Sequence, residues 1–412
     1  MKPFKTIAMI YREVGTCGGI QRGASFQVGR FAEWGYEPVV LSEKELGTGA
    51  GRKSRLAEVM RAKSVDLVIE HDAYDAAKLA DDLAAAREAG VPFVVFWHSV
   101  FSWMLATGNT KYAEILRLLR NADALVTLSE TDAAFFRTVG CRAVAIPYCD
   151  ADIMDGFVRS GHPHRILWMG GRLNPWKGPK DAVQIFSKVR ESIGDAELLM
   201  LGDGNPKERA RLDRCLSECP PSVRGAVKRL GFQANVRPYL EQAVVGLVTS
   251  KFEGFCHSRV EMKMASLPVV SYSMPYLPTL EKGTGVVVVP QGDVEAAARE
   301  IVALFKSPDS CARLGSCARQ AYERLRSFDE RGAYERLFAA VGDPSSGYGL
   351  EPVPREYAET VVTTLLDHGA MGCALAEGRG ARKVREQAEY RLGRALLSPV
   401  RALRRCFGGL KG

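Results

Sequence analysis

No apolar run in this 412-residue chain approaches the roughly 18 residues that a membrane-spanning helix requires, so none is a candidate for one. The start lacks a long hydrophobic core as well. Thr6–Tyr11 is too short for a secretory signal, and the polar Arg12-Glu13 behind it suits a first β-strand better. Paired cysteines are missing too. The ten cysteines are scattered with no C-x-x-C among them. Cys215 and Cys219 would share a helical face, but no His or Cys pair stands near to complete a zinc site. Reduced cytosolic thiols are the expectation. There is no Walker phosphate loop and no low-complexity tract. Net charge is absent from most of the chain: residues 379–412 hold eight Arg and two Lys against Glu386 and Glu389, which accounts for the whole formal excess of +8. The other 378 residues are neutral as a group, and the basic excess belongs to a tail.

What is present is size and alternation. A chain this long exceeds one ordinary core and implies two domains of roughly 150–200 residues. Short apolar strands alternate with helical stretches: Thr6–Tyr11, Glu37–Leu41, Val65–Glu70, Pro92–Trp97, Ala124–Leu128 and Ala143–Ile146. The pattern restarts at Arg165–Met169 and runs through Glu197–Leu201, Val227–Leu230, Val244–Thr249, Val269–Ser271 and Val286–Val289. Such alternation predicts α/β architecture, two doubly wound parallel sheets covered on both faces. The polar segment Asp150–Pro163 marks the boundary. The expected division is 1–158, 159–327, a closing helix and linker at 328–345, and a helical extension from 346 to 412. Helices at 293–306 and 311–327 and the run Asp329–Val341 are expected to close the second domain, Pro354–His368 to be helical, and Gly372–Gly380 to form a loose joint.

Ligands in such folds lie at the carboxyl ends of the strands, here the cleft where two sheets face each other. Two loops there carry chemistry. Gly170-Gly171-Arg172-Leu173-Asn174-Pro175-Trp176-Lys177-Gly178 follows the first strand of the second half. Its glycines let backbone approach a ligand. Arg172 can clamp a phosphate bidentately, and Lys177 adds a compact charge; a solvated basic turn is the alternative. The second loop is Glu253-Gly254-Phe255-Cys256-His257-Ser258-Arg259-Val260-Glu261. Strand, glycine turn and helix together aim N–H groups and a positive helix end at an anion such as a diphosphate. Glu253 stands in the loop and Glu261 about two turns into the helix. The spacing alone leaves open a helix start whose acids merely suit its dipole. In the first half, His98 ends a buried strand and His71-Asp72 ends another, as possible acceptor lining.

In family order, the Arg172–Lys177 loop, Leu201-Gly202-Asp203-Gly204, Leu230-Gly231-Phe232 and the Glu253–Glu261 element resemble the C-terminal domain of the retaining glycosyltransferases of family four, which have the GT-B fold. Thr16-Cys17-Gly18-Gly19-Ile20-Gln21-Arg22 is similar to that family's Gly-Gly loop, and Ala122–Glu130 to its strand and Ser-capped helix before the hinge. The resemblance covers about residues 5–340. It implies transfer of a sugar from a nucleotide-diphosphate donor with retention. Arg172 and Lys177 would hold the diphosphate, Glu253 the donor sugar and Glu261 the ribose hydroxyls. Backbone groups at Phe255, Cys256, His257 and Ser258 would cap the phosphates, with Gly254 and Gly171 in the turns, Phe232 beside the donor, and Gly18 and Gly19 closing from the first domain. His98 resembles the family's active-site histidine. Catalysis would fall to Glu253, His98, Arg172 and Lys177, without metal or other cofactor. The family usually shows Gly where Cys256 stands. Asp150-Ala151-Asp152 matches a metal-binding D-x-D only by letters. Tyr272 and Tyr276 could stack on a sugar or simply pack in the core.

In the tail, Leu392, Leu396, Val400 and Leu403 form a helical stripe flanked by Arg391, Arg394, Arg401, Arg404 and Arg405. A basic amphipathic helix of this kind suits an anionic membrane surface, and missing aromatic interleaving argues against nucleic acid. The expectation is an enzyme peripheral to the cytoplasmic face of the plasma membrane, with a glycan or lipid-linked acceptor. The alternatives are a nucleotide-sugar epimerase of the same fold, which needs no acceptor, or a non-catalytic membrane scaffold.

Overall fold

The computed structural model describes residues 3–11, 19–107, 109–147, 156–158, 160–277, 281–343 and 345–377. Its strands are β1 (Thr6–Ile10), β2 (Glu37–Leu41), β3 (Leu67–Glu70), β4 (Phe93–Trp97), β5 (Ala124–Thr127), β6 (Ala143–Ala145), β7 (Arg165–Arg172), β8 (Glu197–Asp203), β9 (Val227–Gly231), β10 (Val245–Val248), β11 (Val269–Tyr272) and β12 (Val286–Val289). They form two six-stranded sheets in the orders β2-β1-β3-β4-β5-β6 and β12-β11-β10-β7-β8-β9, with every pairing parallel. β1, β3, β4 and β10 are buried at every position. Strands covered on both faces by helices need apolar side chains throughout, which is why they read as unbroken hydrophobic runs. Strand order reverses between β1 and β3 in the first sheet and between β7 and β10 in the second. Those crevices are where open α/β sheets bind ligands.

The chain divides into one unit of Met1–Pro147 with Asp329–Gly412 and another of Tyr148–Phe328. After Phe328 it therefore rejoins the first unit. The helix Glu330–Gly342, which the sequence pattern assigns to closing the second domain, covers the first instead. Tyr334 packs edge-on to Phe31 at 4.9 Å, Phe338 lies 6.0 Å from Phe4, and Gln27 Nε2 donates to Tyr334 Oη at 2.8 Å. Downstream, Arg142 Nη1 donates to the Ser346 carbonyl (3.0 Å) and Ala143 N–H to that of Gly349 (2.8 Å), so the chain itself occupies the open edge of β6. A helix then runs from Arg355 to Glu377, against the helices Phe101–Ala106 and Glu130–Thr138. It corrects the expected loose joint, since Gly372–Glu377 continue the helix: Gly372 alone, in a run of Ala, Leu and Met, does not stop it. Among the described residues no helix is long and apolar enough to cross a membrane. The basic stripe at 391–405, like Asp150-Ala151-Asp152, lies outside them.

Candidate active site

The strand-reversal crevice of the second unit gathers the cationic loop and the first glutamate. β7 runs three residues past its expected end, with its register shifting between Met169 and Gly171, so Arg172 is the last strand residue, exposed and paired in register with Asp203. A 3-10 turn, Pro175–Lys177, follows. Asn174 Oδ1 caps it by accepting from Lys177 N–H at 3.1 Å. Gly178 then turns at φ +66°, where a Cβ would come within 2.3 Å of the Thr249 carbonyl; only glycine fits. The Thr249 hydroxyl, beyond the end of β10, reaches the Lys177 carbonyl at 2.8 Å and accepts from Trp168 Nε1 at 2.8 Å. Lys251 N–H donates to the Trp176 carbonyl at 2.8 Å. These bonds clamp the loop after β7 to the loop after β10.

That clamp brings Lys177 Nζ within 2.5 Å of Glu253 Oε1, whose side chain is only 13% exposed. Burial works to lower the Lys177 pKa, but the Glu253 carboxylate outweighs it and the ammonium ends above its ordinary value. The site thus keeps a fixed positive charge at neutral pH, already oriented.

The helix after Glu253 spans His257–Met264, so Glu261 is its fifth residue and stands one turn in rather than two. The Gly-aromatic turn runs further than the sequence suggests because Cys256 takes φ +64° at the N-cap. A cysteine here adopts the left-handed geometry for which glycine is the usual residue. Cys256 supplies no side-chain cap, and helix starts leave N–H groups without intrahelical partners. Its thiol is buried, which pushes its pKa up and removes it as a nucleophile. Ser258 Oγ lies 3.5 Å from Cys256 Sγ, and the Phe255 and His257 rings meet edge-on at 5.2 Å. Buried Glu261 is four residues after His257 and so shares its helical face. Gly254 is half-buried, and Gly171 turns at φ +63° with open space beside it. Phe232, 53% exposed just past β9, presents its ring at the same edge of the sheet, two strands from β7. Tyr272 and Tyr276 are buried, so packing explains them.

The opposite face of that helix holds three residues that sequence reasoning missed. Glu281 sits between Arg259 (Nε–Oε1 3.0 Å) and Lys263 Nζ, all three side chains nearly excluded from solvent. Arg259 Nη2 also donates to the Phe255 carbonyl at 3.1 Å, tying the cluster to the turn above it. Burial opposes ionisation of Glu281, yet Arg259 and Lys263 hold its carboxyl below the ordinary range. Lys263 moves down, because burial and the like charge of Arg259 outweigh Glu281. The only sequence signal was a pair of cations at i and i+4 in the helix.

In the first unit the crevice between β1 and β3 is bordered by Tyr11 and His71. His98, just past β4, is buried, and its Nε2 lies 2.9 Å from His71 Nδ1. Phe96 stacks on both rings, 5.3 Å from His71 and 4.4 Å from His98, and Tyr11 meets His71 edge-on. Burial lowers the His71 pKa to about 3, so it stays neutral near pH 7. Glu70 accepts from Asp72 N–H at 2.7 Å; burial and then the nearby Asp82 push its pKa well up. Arg52 grips Asp82 through Nε and Nη2, each at 2.8 Å. Gly19 is the exposed first residue of the helix Gly19–Glu33, while Gly18 lies outside the described residues.

Two parallel sheets in sequence, the second bearing fixed cations and carboxylates at its reversal point, define the two-unit class of α/β proteins called GT-B. The family model described as Glycosyl transferases group 1 matches residues 163–307, and the one described as Glycosyl transferase 4-like domain matches residues 18–149. The chain belongs to the family-four glycosyltransferases of GT-B fold. An uncharacterized glycosyltransferase of Methanocaldococcus jannaschii is 30% identical over 101 residues, and the match spans 24% of this chain and 24% of that protein. Solved structures share the fold. Sucrose-phosphate synthase of Thermosynechococcus elongatus superposes with TM-score 0.68 at 18% identity, over 82% of this chain and 100% of that one. Anabaena HepE in complex with UDP and glucose gives 0.64 at 17%, over 82% and 100%. The pneumococcal O-GlcNAc transferase GtfA, in complex with UDP and GlcNAc, gives 0.65 at 12%, over 82% and 99%.

Proposed function

We propose that this chain transfers a sugar from a nucleotide-diphosphate donor, with retention at the anomeric carbon, to a cell-surface glycan or lipid-linked acceptor. The observation that carries this reading is the Lys177–Glu253 pair, clamped at the strand-reversal point with Arg172 on the adjacent strand end. Negative charge grows on the leaving diphosphate as the glycosidic bond breaks, and cations already in place stabilise it without reorganising. Arg172 takes a phosphate through its planar fork, and Lys177 adds a point charge. The helix start at Cys256–His257 offers N–H groups to the same anion. Glu253, desolvated and held by Lys177, accepts from donor-sugar hydroxyls, and Glu261 from the ribose. His98, held by neutral His71, meets the donor sugar. The UDP of HepE and of GtfA supports a nucleoside diphosphate here and makes uridine the first base to test.

The acceptor attacks from the face the diphosphate leaves, and no glycosyl-enzyme forms. Because Arg172 and Lys177 neutralise the diphosphate, no divalent ion is needed. Membrane attachment through residues 379–412 completes the reading: each basic side chain near an anionic surface contributes on the order of 1 kcal/mol. The decisive experiment is turnover of UDP, GDP and ADP sugars by the full chain and by Lys177→Ala. One donor class turned over, and a loss of about 10²–10³-fold in kcat for the variant, support the assignment. Equal turnover by both proteins refutes it, as does release of an altered free sugar nucleotide. A covalent glycosyl adduct on Glu253 in a mass spectrum would contradict front-face attack. Turnover abolished by EDTA and restored by Mn²⁺ would contradict metal independence. A chain ending near Gly378 that sediments with anionic liposomes as well as the full chain does would remove the membrane role.

A further inference from the structure

The second unit carries a cluster of metal-ligating side chains at the edge of its sheet opposite the strand ends described above. His162 and His164 stand in the lead-in to β7, and Asp195 stands in the turn before β8. Glu197 N–H donates to the His164 carbonyl at 3.0 Å and fixes the two lead-ins side by side. His164 Nδ1 lies 2.8 Å from Asp195 Oδ1, and His162 Nε2 lies 3.4 Å from Asp195 Oδ2. One ligand atom from each residue falls within 4.8 Å of the other two. The Phe305 ring, 5.2 Å from that of His164, backs the cluster from the adjoining helix. β7 has eight residues, so roughly 25 Å separates this edge from Arg172.

We propose that His162, His164 and Asp195 bind one divalent transition-metal cation of the zinc class, apart from the transfer chemistry. Two imidazoles and a carboxylate form a borderline nitrogen–oxygen set, which suits Zn²⁺, Co²⁺, Ni²⁺ or Cu²⁺ and disfavours Mg²⁺ and Ca²⁺. Each neutral ring presents a lone pair where its N–H now faces Asp195, and its proton moves to the other ring nitrogen. For His162 this ends one long bond, the 3.2 Å contact that its Nδ1 accepts from His164 N–H. Three ligand bonds replace it. Asp195 is exposed and both imidazoles half-exposed, so water completes the coordination and a cation has direct access. Bound metal would staple the lead-ins of β7 and β8.

The test is titration of untagged full-length protein with Co²⁺ alone, read by its visible ligand-field absorption. The expected result is a band saturating at one cation per chain and abolished by Zn²⁺. His164→Ala and Asp195→Asn should each weaken binding by at least the roughly 10–100-fold that losing even an outer partner of a ligand causes. His257→Ala should leave the cobalt affinity unchanged. Because all three ligands border solvent, the variants fold, and far-ultraviolet circular dichroism verifies it. A wild-type protein with no band at millimolar Co²⁺ overturns the proposal, and so does unchanged affinity in both ligand variants.

Discussion

Glu281→Gln keeps the shape of the side chain and removes its charge, leaving Arg259 and Lys263 buried without their shared counter-ion. Both cations are about nine-tenths excluded from solvent, with 9% and 10% of their side chains exposed. Breaking a buried ion pair by removing one partner costs roughly 3–5 kcal/mol, since the remaining charge stays desolvated. For a unit the size of the second, each kcal/mol lowers Tm by about 2–4 °C, so a fall of about 6–20 °C is expected. Urea denaturation should show a lower midpoint with an unchanged slope. The pH dependence gives a second reading. The carboxyl is held below its ordinary range in the folded protein, so its contribution is fully present above about pH 4.5 and is lost as pH falls through the depressed folded value. The variant should lose that acid-range slope. Replacing Arg259, Lys263 and Glu281 together with methionines should restore most of the stability. A loss below about 1 kcal/mol for Glu281→Gln would refute the reasoning, because it would put the cluster in the class of exposed pairs. Donor affinity should fall too, since Arg259 holds the Phe255 carbonyl.

Gly178→Ala should destabilise the second unit by about 2–4 kcal/mol, through clash with the Thr249 carbonyl and a strained positive φ, and should lower kcat by displacing Lys177; wild-type stability by calorimetry would count against the clamp. His71 refuses a proton in the folded state down to about pH 3, whereas the unfolded chain takes one below its ordinary 6.5. Stability should therefore fall with pH across that window by up to about 1.4 kcal/mol per unit from this residue, and His71→Gln should flatten the slope measured between pH 6 and 4. Phe338→Ala should cost about 3–5 kcal/mol and be felt in the first unit; hydrogen exchange confined to the second would contradict the packing.

The inner strands were legible because parallel strands covered on both faces must be apolar end to end, as β4 and β10 are, whereas β9 at the sheet edge carries exposed Lys228 and Arg229. Arg172, Lys177 and Glu253 were legible because glycine and charge directly after a buried strand have few structural uses. Other features needed the fold. Cations at 259 and 263 read equally well as a solvated helix face, and only the return of the chain to Glu281 shows that they face inward. His71 and His98 are 27 residues apart and meet because β3 and β4 are neighbours. Tyr334, Leu337 and Phe338 announce an apolar face, but no local pattern says which core it covers. Cys256 stands where the family usually shows Gly, yet whether a cysteine would keep the glycine geometry depended on the packing around it.

The return of the chain to its first unit bears on how the protein is made. Residues Tyr148–Phe328 form one uninterrupted stretch, so a ribosome releases everything that unit needs before the other is complete. The amino-terminal portion, though translated earliest, has to wait for Tyr334 and Phe338 to fill the space beside Phe4 and Phe31, and for Gly349 to seal its open edge. Nascent protein thus matures out of order, inserted half ahead of its host, with the unfinished host a natural client for chaperones during elongation.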